Sequence, residues 1–145
     1  MFAYKVPSIK EAVFTTSLEV RIYDINYGQH LGNDSLVSLL HEARARFLKS
    51  RGFSESNAGG FGILVTNLVV NYVGQAFFAE KLSAKLGIGR ASKTSLELIY
   101  QLCVEEDQRE IARACTTITF YDYEKKKVSR IPPSFLASFE ASVSE

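Results

Sequence analysis

One switch of hydrophobic period, at Gly52, limits what this chain can fold into more than any other feature. Ahead of it lies one long helical pattern, and behind it the apolar runs repeat at strand spacing. Leu36, Leu40, Ala43 and Phe47 recur at steps of four, three and four, and Val37, Leu39 and Leu48 widen the stripe, so the helix is buried on more than one side. Asn33 or Asp34 is placed to cap its start by accepting first-turn N–H groups, and Gly52 to take the left-handed position after Arg51. The bracketed helix is about seventeen residues long. Beyond Gly52, residues 62 to 73, 81 to 90, 93 to 104 and 110 to 123 read as strands, with Glu105-Glu106-Asp107-Gln108 as a hairpin tip. Leu18, Val20 and Ile22 alternate with Glu19, Arg21 and Tyr23, adding a strand over residues 14 to 23. One strand, one long helix and four consecutive strands predict an α+β chain, a five-stranded antiparallel sheet with the helix laid on one face.

Composition narrows the function. With no internal linker, residues 1 to 145 are expected to form one domain. The formal charge is only +1 and the basic residues are scattered, which argues against nucleic acid as a partner. The exception, Lys125-Lys126-Lys127, reads as a solvated tip. No apolar run approaches the ~20 residues of a membrane span, and the N-terminus lacks a signal pattern, so the expected location is cytoplasmic. Cys103 and Cys115 sit in apolar surroundings without metal-ligand spacing, so they are expected as reduced core thiols and no metal is expected. The second face of the sheet, expected to carry Tyr72, Tyr100 and Phe120, is too apolar to stay entirely wet, which predicts a homodimer.

The polar chemistry is concentrated between Tyr23 and Ala43, a window that holds both histidines. Asp34 is either a helix cap or a carboxylate facing a substrate. His41 lies seven residues further on, on nearly the same helix face, and a histidine there can serve as a general base or as a satisfied core residue. Glu42, roughly 80° around the helix from Asp34, is placed either for chemistry or for an ion pair with Arg46 at i+4. Asp24 is either a further candidate carboxylate or a residue that holds the loop by accepting N–H groups, and His30 either ties loop to helix or joins the chemistry. Gly28 and Gly32 read as backbone necessities.

A strand ending in Tyr23-Asp24, a loop of form Asp-x-x-x-x-x-His-x-x-Asn, a helix with Glu42-Ala43-Arg44, and Gly89-Arg90-Ala91-Ser92 between two later strands together resemble the hotdog-fold thioesterases of the 4-hydroxybenzoyl-CoA thioesterase type. The resemblance implies a helix wrapped by a sheet, paired in a dimer or a dimer of dimers, with an acyl-CoA or acyl-carrier-protein thioester at the subunit interface. Coenzyme A is then part of the substrate, and no separate cofactor is implied. Many members carry Asp-x-Asp in the loop, the second Asp being the catalytic carboxylate; that position here is Asn26, an amide that cannot act as base but can position water or donate to a carbonyl. Other branches use a loop amide with a carboxylate from the helix, and His41, fifteen positions after Asn26, falls about there. The expected catalytic set is therefore Asn26, His30, Asp34, His41 and Glu42. Arg90, Ser92, Lys93 and Thr94 match a junction where the family often contacts pantetheine and phosphate, and the tail from Ile131 its closing segment, expected to dock as a short helix after Pro133. The activity implied is thioester hydrolysis; a non-catalytic acyl-thioester binder and a hydratase or dehydratase, using His30 with Asp34 or Glu42, are the alternatives.

Overall fold

The structure, a computed structural model, describes residues 4–143. Its elements follow the order β1 (Phe14–Glu19), α1 (Asn33–Ser50), β2 (Gly62–Tyr72), β3 (Lys81–Ala91), β4 (Ser95–Val104), β5 (Glu110–Asp122), β6 (Lys127–Val128) and α2 (Pro133–Val143). The strands form one antiparallel sheet in the order β1-β3-β4-β5-β2, with β6 paired to β5. This is the expected hotdog arrangement with six strands rather than five. The sixth is two residues long, too short to carry a hydrophobic period.

Three local expectations are corrected. β1 stops at Glu19, and Ile22–Asp24 wind into a 3-10 turn instead of continuing the strand. Asp24 sets this turn, accepting from the Arg21 backbone N–H at 2.8 Å and from the Arg21 guanidinium. The residue capping α1 is Gly32, not Asn33 or Asp34, and no side chain accepts from the first turn. Gly52 does take the left-handed conformation, at φ 80°.

Thirdly, Tyr72, Tyr100 and Phe120, expected on the second face, lie on the helix side. Period two puts Tyr100 on the same face as Leu96, Leu98 and Leu102, and Phe120 on that of Ala114 and Ile118, all of them buried. Tyr72 reaches the start of α1, its hydroxyl donating to the Asn33 carbonyl at 2.9 Å. The core forms where Leu36, Leu40, Ala43 and Phe47 of α1 meet these residues and Leu82, Ala84 and Leu86. α2 closes one end of it: the Phe135 ring lies 5.0 Å from those of Phe120 and Phe139 and 5.2 Å from that of Phe53.

The second face is largely polar, and the N-terminal arm covers its apolar part. Val6 packs with Ile99 and Cys115, its N–H donating to Asn71 Oδ1 at 2.7 Å while Asn71 Nδ2 donates to the Tyr4 carbonyl at 2.8 Å. What remains uncovered is the edge strand β2, with Leu64, Val65 and Leu68 exposed. Among the described residues no helix is long and apolar enough to cross a membrane.

Candidate active site

The loop before α1 is a tight hairpin. Ile25 and Leu31 form a bridge, the Asn26 N–H donates to the His30 carbonyl at 2.9 Å, and Gln29, at φ 67°, returns its N–H to the Asn26 carbonyl at 3.0 Å. The Asn26 side-chain oxygen accepts the Gly28 N–H at 2.9 Å. Its amide nitrogen makes no hydrogen bond among the described residues, so the amide is turned with its acceptor used and its donor open. Gly28 keeps this corner clear: a Cβ there would stand 3.1 Å from His30 Nε2 and 3.2 Å from Asn26 Oδ1. At Gly32 a Cβ would meet Asp34 Oδ1 at 2.8 Å and Asn26 Cβ at 3.4 Å. Asn26, His30 and Asp34 thus gather around two glycines at the start of α1. His30 Nδ1 lies 3.2 Å from the Leu31 carbonyl, with Nε2 beside Gly28. Burial, and secondarily the charge of Asp34, push the Tyr72 phenol above its ordinary range, which marks the carboxylate as its neighbour.

Two turns further on, His41 opens onto a cavity of about 270 Å³ between α1 and β2. Its apolar walls are Val37, Leu40, Val65 and Leu68, and its polar ones Ser38, His41, Arg44 and Thr116. A chain of polar contacts runs behind it. His41 Nε2 is 3.2 Å from Glu55 Oε1, and Arg44 Nε donates to the same oxygen at 2.8 Å. Arg44 also reaches the Tyr100 hydroxyl at 3.4 Å, which lies 2.7 Å from Thr116 Oγ1. Burial pushes the Tyr100 phenol up, so it stays a neutral hydroxyl beside the guanidinium. Glu55 is the participant that sequence reasoning missed. It sits in a Ser-, Asn- and Gly-rich loop where nothing in the pattern points back at the helix.

The other expected residues lie apart. Glu42 accepts from Arg46 at 2.8 Å, and Arg46 in turn donates to Thr16 Oγ1 and the Ser17 carbonyl of β1. β1 and β2 are opposite edges of the sheet, so Glu42 leans toward one edge and His41, about 100° around the helix, toward the other. Arg90 is held by Glu97, whose carboxyl that bond lowers below its usual range. The Ser92 hydroxyl accepts the N–H groups of Thr94 and Ser95, and Lys93 is exposed. This β3–β4 turn adjoins the Leu64 end of β2, since Ser95 pairs with Thr119 and Thr119 with Leu64. The loop lies at the Tyr72 end, about 25 Å away along the strand. Among the described residues no group of three His, Cys, Asp or Glu is placed to hold a metal ion.

A sequence family described as the thioesterase-like superfamily matches residues 20–139. No curated protein matches. Among solved structures, a 1,4-dihydroxy-2-naphthoyl-CoA thioesterase from Synechocystis is 21% identical with a TM-score of 0.79, covering 87% of this chain and 94% of its own. A gentisyl-coenzyme A thioesterase is 18% identical at a TM-score of 0.76, covering 87% and 99%. A Staphylococcus aureus protein in complex with CoA is 17% identical at a TM-score of 0.81, covering 97% and 89%. At these identities the likeness is one of fold.

Proposed function

Since the chain belongs to the thioesterase-like superfamily, we propose that it hydrolyses an acyl-CoA or acyl-carrier-protein thioester, as a homodimer or a dimer of dimers paired across β2. The observation that carries this reading is the stripe Asp34, Ser38 and His41 along the side of α1 that flanks the open edge strand, with the Asn26 amide at its start. An eleven-residue edge strand with exposed Leu64, Val65 and Leu68 is a template for a second strand. Antiparallel pairing of two copies of β2 sets the β3–β4 turn of one copy beside the loop of the other. Arg90, Ser92, Lys93 and Thr94 then serve the phosphate and pantetheine arm of a substrate whose thioester lies at the partner's loop.

Asp34 and His41 are separated by a rise of about 10 Å along the helix, so one carbonyl cannot touch both in one copy. In the dimer, the Asn26 amide and the N–H groups at the start of α1 in one copy meet the charge developing on the thioester oxygen. His41 of the other copy takes a proton from water as the water oxygen attacks the carbonyl carbon. As the C–S bond breaks, the imidazole returns the proton to the departing sulfur. A second reading, favoured by Asp34 standing next to Asn26 across Gly32, makes Asp34 the base within one copy.

An aromatic acyl group is the first to try, given the resemblance to the 4-hydroxybenzoyl-CoA type and the named substrates of two structural neighbours. Free-thiol release is followed over a panel of aromatic, short and long acyl-CoAs. Saturable release from at least one is expected. Thermal stabilisation by acyl-CoA without release from any would make the protein a binder, and water addition to an enoyl-CoA without release would make it a hydratase.

A further inference from the structure

We propose that Glu55 is the positioning residue of this site: its Oε1, 3.2 Å from His41 Nε2, pairs with that nitrogen and so leaves Nδ1 as the nitrogen that takes the proton from water. This rests on the reading of His41 as the base. The support for Glu55 deepens at each link. The His41 side chain is 60% exposed, that of Glu55 32% and that of Arg44 8%, and Tyr100 and Thr116 beyond it are buried. A surface imidazole at the open edge is thereby linked through one carboxylate to buried groups. Both contacts fall on the same oxygen, at 3.2 Å from His41 and 2.8 Å from Arg44, so the guanidinium fixes the acceptor that orients the ring.

The backbone around Glu55 is fixed as well. Its carbonyl accepts the Ile63 N–H at 2.7 Å, tying the loop to the start of β2. Holding one ring nitrogen with a carboxylate sets the tautomer and aim of the other, which a freely rotating histidine would have to find anew in each turnover. A purely structural Glu55 would serve Arg44 alone and leave the imidazole proton untouched.

The test reads that proton directly. The chain has two histidines, so a sample labelled with nitrogen-15 at histidine gives two ring systems, assigned with His41→Ala. A slowly exchanging Nε2–H resonance from His41 is expected in the native protein, kept in Glu55→Gln, whose amide oxygen still accepts, and lost in Glu55→Ala. In thiol release, Glu55→Ala is expected to lower kcat about 10- to 100-fold with KM unchanged, and to add nothing to His41→Ala. A resonance missing from the native protein, or unchanged in Glu55→Ala, overturns the proposal. A His41→Ala enzyme with undiminished kcat overturns the underlying reading of the base instead, whatever the resonance shows.

Discussion

At the scale of single residues, the chemistry depends on which groups are already engaged. Glu42 has Arg46, Asp24 has Arg21, and the Asn26 oxygen has the Gly28 N–H, while the Asn26 amide nitrogen and the Nδ1 of His41 make no hydrogen bond among the described residues. The i+4 pairing of Glu42 was legible from spacing, whereas Glu55 was not, because its contact with His41 spans a loop without a period. Cys115 gives a prediction at this scale. Burial, and then the charge of Glu97, push its thiol up to about 11. A folded pKa raised above the unfolded one gives a stability contribution that is full below the ordinary thiol value and is lost as pH rises through about 11. Urea midpoints measured from neutral to alkaline pH should therefore fall less steeply in Cys115→Ala than in the native protein.

At the scale of elements, strands and helix were readable where a period ran for ten residues, and their ends were not. β1 stops early because Asp24 draws the chain into a turn, and a glycine caps α1 because a Cβ at Gly32 would meet Asp34 Oδ1 and Asn26 Cβ. The face of Tyr100 and Phe120 follows from strict alternation with their neighbours, which outweighs the polar hydroxyl that makes a tyrosine look outward. Two elements can be tested. Placing lysine at Leu64 and Leu68 should convert the proposed dimer to monomer by light scattering, with an unchanged circular dichroism spectrum and loss of the proposed thiol release, since charge on an edge strand blocks pairing. Phe135→Ala, which empties the contact of α2 with Phe53 and Phe120, should cost about 3–5 kcal/mol in urea unfolding.

At the scale of the whole molecule, the order of elements made the fold legible, while the site was legible only as a list of residues. Sequence proximity put Asn26, His30, Asp34, His41 and Glu42 in one window; the fold divides them among a loop corner, a cavity beside β2 and the flank of α1 nearer β1. Spacing along the chain cannot express that division, because it depends on which sheet edge each helix face meets. In the proposed mechanism two copies complete one site, Asn26 from one and His41 from the other. Mixing Asn26→Ala and His41→Ala proteins tests it most directly. Each alone should be nearly inactive in thiol release, and after subunit exchange the equimolar mixture should regain about one quarter of native activity, because half of the dimers are mixed and each mixed dimer has one intact site of two. A mixture that forms mixed dimers yet stays inactive would contradict the shared site and return the base to the same copy.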